Sequence, residues 1–159
     1  MSNEIMVVHW SSDEAILDGI AVSPTDPIVC GWLAEVLFGV DVRQVAAWLS
    51  ERTNRVAILH RIEVAGEAQG AGAGVRLMEA FRQVTEAEAI LLLCDSRRGQ
   101  REGFDLCAFY RNRNFAEVCS TPNGIVMAFP QSVASELKSA IGGWAWQVYD
   151  DEWWLGHAA

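Results

Sequence analysis

Three glycines stand at every second position in the segment Gln69-Gly70-Ala71-Gly72-Ala73-Gly74. Glycine lets the backbone come close to a ligand and turn its N–H groups toward it. Where such a loop opens a helix, the positive end of the helix dipole adds to the attraction. A phosphate or pyrophosphate is then the natural guest. Two familiar phosphate loops do not fit. Gly74 is followed by Val75-Arg76, not by the Lys-Ser/Thr that ends a nucleoside-triphosphate loop. The spacing is G-x-G-x-G, not the G-x-G-x-x-G of dinucleotide folds. Metal chemistry is not indicated either. Cys30, Cys94, Cys107 and Cys119 are scattered, as are His9, His60 and His157, without zinc-ligand spacing. Reduced, mostly buried thiols and no structural metal are expected.

The elements around the loop read most clearly from Arg55 onward. Residues 55–65 (RVAILHRIEVA) are rich in branched side chains and predict a strand leading into the glycine-rich stretch 66–74. Residues 74–86 predict an amphipathic helix with Val75, Leu77, Met78 and Phe81 inward. The fully apolar run 89–94 (AILLLC) has the length of a buried strand. A short helix over 105–113 follows, with Asn114 where a left-handed residue is expected. Residues 115–120 and 125–129 then flank Thr121-Pro122-Asn123-Gly124, a hairpin signal in which Asn-Gly supplies positive φ. Before Arg55, residues 5–10 predict a strand and residues 12–20 a short capped helix ending at Gly19, and 23–27 a turn. The stretch 28–52 stays ambiguous. Val42, Val45, Ala46 and Leu49 fit a helical stripe, yet VRQVAAWL could also be a strand. The order specifies an α/β or α+β domain over residues 1–130.

The chain has 159 residues, with 12 Lys and Arg against 21 Asp and Glu and a net charge of −9. A hydrophobic share of 51% and a charged share of 21% are globular composition at a length that can bury its own core. The acidic balance argues against nucleic acid or an anionic membrane surface as partner. No apolar run reaches the roughly 20 residues that span a bilayer. The segment MSNEIMVVHWSSDE lacks a basic n-region and a long apolar core, so a cytoplasmic protein is expected. Charge is unevenly spread. Residues 1–50 carry seven acids and one Arg, 51–129 ten of each, and 130–159 four acids and one Lys. An anionic small molecule belongs with the arginine-bearing middle.

At this point the residues resemble a known family. Gln69 to Gly74 fits Q/R-x-x-G-x-G/A, the pyrophosphate loop of the GNAT-type N-acetyltransferases. Val64 lies five residues before Gln69, where such enzymes end their fourth strand. Phe109-Tyr110-Arg111-Asn112-Arg113-Asn114-Phe115 resembles the family's F-Y-x-x-x-G-F helix end, and AILLLC then corresponds to the fifth strand. The resemblance covers roughly residues 55–130. It departs at Asn114, which replaces a glycine, and at Gly103, where an Asn often contacts the pantetheine arm.

The resemblance implies a central mixed, mostly antiparallel sheet flanked by helices, with a V-shaped cofactor cleft between the fourth and fifth strands. It implies acetyl-CoA as cofactor and direct acyl transfer to an amine, with no covalent enzyme intermediate. Backbone groups of Ile62, Glu63 and Val64 would hold the pantetheine and the reacting carbonyl. Gln69, Gly70, Ala71, Gly72, Ala73, Gly74, Val75 and Arg76 would cradle the pyrophosphate, with Arg111 or Arg113 as further cations. Tyr110 would be the general acid for the departing thiolate, and His60 the general base. Glu63 and Asp95 are reserve bases, with Glu63 alternating to the opposite strand face from His60. Cys94 and Cys107 read as core residues, not nucleophiles.

Beyond residue 130, Val133, Leu137 and Ile141 form a helical stripe. Trp144, Trp146 and Val148 then alternate as in a half-buried strand, ahead of Trp153-Trp154. This Trp-rich extension, 131–159, is expected to pack on the same domain or on the partner of a homodimer, or to form an aromatic lid. The acidic first third favours a cationic amine, small-molecule or protein, as acceptor. The expected function is therefore an acyl-CoA-dependent N-acyltransferase. The alternatives are a non-catalytic CoA-binding or protein-interaction domain of the same type, and a protein acetyltransferase directed at one macromolecular target.

Overall fold

A computed structural model of the chain describes residues 4–65, 72–95 and 105–144. Among these residues, six strands form one sheet in the order β1-β2-β3-β4-β6-β5. Strands β1 (Met6–Ser11) and β2 (Ala15–Val22) open the chain. Helices α1 (Pro27–Val36) and α2 (Val42–Arg52) follow, then β3 (Val56–Val64). Helix α3 (Ala73–Thr85), β4 (Ala89–Cys94) and α4 (Leu106–Arg111) come next. The hairpin β5 (Ala116–Thr121)–β6 (Gly124–Phe129) leads into α5 (Gln131–Ile141) and a 3-10 turn at Gly142–Trp144. β3 and β4 run parallel, and every other neighbouring pair is antiparallel. This is the mixed, mostly antiparallel sheet with flanking helices that was expected.

The sheet buries both faces along β4 and the first half of β3, and those stretches are apolar. Ala57, Leu59, Ile90 and Leu92 pack with Met78 and Phe81 of α3 and with Cys107 and Tyr110 of α4. Val56, Ala89 and Leu91 pack on the other face with Val29 and Leu33 of α1, Val45 and Leu49 of α2, and Leu137 of α5. Residues 131–141 thus complete the same core. The rest of the Trp-rich extension, 145–159, lies outside the described residues.

One expected element is corrected. Residues 12–20 do not form a helix; Ser12-Asp13-Glu14 turn a hairpin and β2 follows. The Ser12 hydroxyl oxygen does accept backbone N–H groups, from Glu14 at 3.1 Å and Ala15 at 3.3 Å. The same local chemistry that caps a helix here closes a turn, with the Ser12 N–H donating to the Ala15 carbonyl at 2.9 Å. Smaller differences follow. The ambiguous 28–52 holds two helices, each capped by an aspartate: Asp26 accepts from Ile28 N–H and Asp41 from Arg43 N–H. The predicted helix 74–86 starts at Ala73, where Val75 and Leu77 are only half-buried. In the β5–β6 turn positive φ falls on Gly124, not on Asn123, whereas Asn114 is left-handed as expected.

Gly19 explains why β2 can lie under α3. A Cβ there would sit 2.7 Å from the Phe81 ring and 2.8 Å from the Ile58 carbonyl oxygen. The backbone oxygen cannot give way as a flexible side chain would. Gly19→Ala is expected to lower stability by about 1–3 kcal/mol. Gly31→Ala, in α1 where a Cβ meets nothing within 4 Å, should raise it, by about 0.5–1 kcal/mol. Urea unfolding midpoints of the two variants check both signs.

Candidate active site

The site begins where β3 changes character. Its first half, Val56–Leu59, is buried and apolar, and it pairs with Ala89–Leu92 of β4. At Leu59 that ladder ends. His60, Arg61 and Glu63 are exposed, and the apolar residues between and beyond them, Ile62 and Val64, are only half-buried. On the other side β2 stays bonded to β3 as far as Val64, but the register slips by one. Asp18 faces Arg61 while Gly19 faces Leu59, which leaves His60 as the extra residue of a β-bulge. The two strands that the resemblance numbers fourth and fifth are the third and fourth of this chain, and they part at His60.

A cavity of about 1000 Å³ fills the opening. Leu59–Val64 of β3, with Ala65 just beyond, form one wall, and Leu93 of β4, with Asp95 just past its end, the other. Gly72–Val75 of α3 and Phe109 and Tyr110 of α4 close it on one face of the sheet. Trp32 and Glu35 of α1 and the Ser12–Glu14 hairpin border it too. Since α1 and α3 cover opposite faces, the cavity passes through the sheet.

Of the sequence-derived site residues, His60, Ile62, Glu63, Val64, Gly72, Ala73, Gly74, Val75 and Tyr110 line this one cavity. Gln69, Gly70 and Ala71 lie outside the described residues. Arg76, Arg111 and Arg113 are not among the lining residues. Arg76 nevertheless stays at its edge, because a Cβ on Gly72 would stand 3.4 Å from Arg76 Nη1. One expectation about faces is corrected. Glu63 and His60 border the same cavity, because the bulge resets the alternation. Leu59 and Ile62 now share a core face, while Arg61 and Glu63 share the other and form an ion pair at 2.7 Å.

The start of α3 is suited to an anion. Gly72 takes the N-cap position at φ 78°, a left-handed conformation that glycine adopts without strain, and among the described residues no side chain caps the helix there. The first turn carries no acidic residue. Gly74 serves packing as well: a Cβ would lie 3.1 Å from the Phe109 ring, so its absence lets α4 close against α3.

Tyr110 is only 4% exposed and sits in a row of rings, with Phe109 and Phe115 each 5.6 Å away between centroids. Burial, and then the neighbouring Cys94 and Cys107, push its phenol above the usual value, so it stays protonated and can donate a hydrogen bond. Burial likewise raises the Cys94 thiol, aided by a hydrogen bond with Cys107, which keeps it a thiol and not a nucleophile. His60 moves the other way. Partial desolvation at the cavity lowers its pKa, opposed by the carboxylates of Asp18 and Glu35, so the imidazole is neutral near pH 7 and able to accept a proton.

Trp32, Glu35 and the hairpin Ser12–Glu14 were not foreseen as site residues. Their place depends on how α1 crosses the sheet and on β2 being a strand. Neither is encoded in local spacing.

No protein-family model matches the chain, and no curated protein does. Among solved structures, a crystal structure of a bacterial toxin is similar at 18% identity with a TM-score of 0.41, over 79% of this chain and 64% of that one. A histone acetyltransferase HPA2 and related acetyltransferase from Corynebacterium glutamicum is similar at 16% identity with a TM-score of 0.38, over 74% of this chain and 65% of that one. This chain therefore spans less than two thirds of either structure, and both likenesses are distant.

Proposed function

We propose that this chain is an acyl-CoA-dependent N-acyltransferase of the GNAT type, with acetyl-CoA as donor and a cationic amine as acceptor. The observation that carries this reading is the parting of β3 from β4 at the His60 bulge, which opens a cavity through the sheet beside the glycine start of α3. A strand gap of this kind suits an extended, amide-bearing arm, which can use backbone groups that a neighbouring strand would otherwise take. The residues present fit the donor. Gly72 to Val75 can point backbone N–H groups at a pyrophosphate, and the Arg76 guanidinium stands beside them. Ile62, Glu63 and Val64 would hold the acyl-bearing arm along the β3 edge.

When bound, acyl-CoA supplies a thioester carbonyl open to attack by a neutral amine. The chain's residues handle the protons. His60, neutral near pH 7, accepts the amine proton at its imidazole nitrogen, directly or through one water. Tyr110 donates its Oη hydrogen toward the sulfur that departs, and its raised pKa makes it a hydrogen-bond donor more than a full proton source. On the α1 face, Asp13, Glu14 and Glu35 place negative charge beside the Trp32 ring. That combination attracts an ammonium-bearing acceptor from the side opposite the donor.

Acetyl-CoA at about 100 times its Kd is expected to stabilise the chain by about 2.7 kcal/mol, read as a shift of the urea midpoint. Arg76→Ala should weaken that binding about 10-fold, the worth of one charged hydrogen bond. Thiol release from acetyl-CoA, followed with a panel of polyamines, amino sugars and lysine peptides, tests turnover. His60→Gln should lower kcat by about 100-fold with acetyl-CoA binding unchanged. Acetyl-CoA binding with no turnover on any amine would instead assign a non-catalytic CoA-binding domain.

A further inference from the structure

Strand β1 is one edge of the sheet, and among the described residues nothing pairs with its outer side. Its sequence, MVVHWS, holds no Lys, Pro or carboxylate, and its ladder to β2 runs from Met6 to Ser11 without a bulge. Those are the devices that keep an edge from pairing with another chain. The opposite edge, β5, has two of them: Glu117, and a register shift between Glu117 and Cys119. β1 also gathers exposed apolar surface. Ile5 just before it, Val7 and Trp10 are three of the six large exposed hydrophobics among the described residues. The hairpin sets the direction of the free backbone groups. The Ser12 N–H donates to the Ala15 carbonyl, so Ser12 and, at every second residue, Trp10, Val8 and Met6 turn theirs toward β2. Val7, His9 and Ser11 present theirs outward. Met6 and Val8 pack on the α3-side core, so Trp10 shares that side, and Val7 and His9 take the other.

We propose that β1 pairs antiparallel with β1 of a second copy of this chain, across a twofold axis at Val8, and joins two six-stranded sheets into one. Outward-facing backbone groups bond only to outward-facing ones, so Val7 of one copy stands opposite His9 of the other. Val8 then meets Val8, and Met6 meets Trp10, on the α3 side. Ser11 falls opposite Ile5, so this register engages the whole strand. Charge and symmetry favour a second copy over another occupant. Each chain carries a net charge of −9, so two copies repel wherever their acids meet. β1 has no acid, and the one carboxylate of β2, Asp18, is bonded to His9. Glu4, just before the strand, falls opposite Ser12 and not opposite its own counterpart. A twofold pairing uses the same edge of both copies and so closes, leaving only the bulged β5 edges outside. In the pair, Glu4 and Ile5 of the second copy lie alongside Ser12 and Ser11, at the root of the Ser12–Glu14 hairpin that borders the cavity. The pairing is independent of which reaction the cavity performs.

Sedimentation velocity of the full chain at about 50 μM should show a dimer. Val7 is 74% exposed, so Val7→Lys leaves the fold of the single chain intact while placing a charge on the paired edge. It should raise the dimer dissociation constant by about 10-fold, since the altered pair occurs twice in the dimer. An unchanged urea midpoint in dilute solution checks that the monomer still folds. Cross-linking reads the register, in a Cys30→Ser, Cys119→Ser background that removes the two thiols that are not buried. With oxidised glutathione, Val8→Cys should form a disulfide between copies, because opposed residues of a non-hydrogen-bonded pair have Cα atoms about 4.5 Å apart. Trp10→Cys should stay unlinked, since it faces Met6. A monomeric chain overturns the proposal and leaves residues 145–159 or a different protein as the occupant of the edge. A dimer that persists unchanged in Val7→Lys, or that links Trp10→Cys as readily as Val8→Cys, overturns it too.

Discussion

Strand β3 is bonded to β2 along its whole length but to β4 only from Val56 to Leu59, and the site follows from that asymmetry. A parallel pair usually stays together because both strands are apolar on both faces and lose water as they meet. Here the apolar run VAIL ends and HRIEV begins, so continuing the pairing would bury His60, Arg61 and Glu63 against β4. The bulge accommodates the change: one extra residue against β2 lets β3 bend off β4 and keep its other ladder.

The two cores determine what surrounds the opening. On one face Phe81 and Met78 hold α3 against β2, β3 and β4, with Gly19 making room for the ring. This fixes the start of α3 at the edge of the gap. On the other face Val29, Leu33 and Val36 fasten α1, and Trp32 and Glu35, on the turns between them, meet the cavity. Of the first third's acids, Asp13, Glu14 and Glu35 border the cavity, and the arginine-bearing middle supplies the helix start.

Legibility varied with how much each segment's pattern was set locally. β4 coincides with its predicted span, 89–94, because a strand buried on both faces is a continuous apolar run and little else. β3 and α3 were close for similar reasons. The segment 12–20 misled because a serine hydroxyl accepting backbone N–H groups looks the same in sequence whether it caps a helix or closes a hairpin. Along 28–52 the period was ambiguous, and packing against the sheet decided for helices.

By itself the sequence determined the element types of the described segments between Arg55 and Phe129 and the glycine-rich lead into α3. These depend on local propensity, apolar period and residue chemistry, all of which act over a few neighbours. Only the tertiary structure decided that His60 sits at a bulge and that Glu63 shares its cavity. It alone brought Trp32 and Glu35 to the cavity and joined His9 to Asp18. Those relations come from strand register and from how helices cross a sheet, and both are fixed by contacts between residues far apart in the chain.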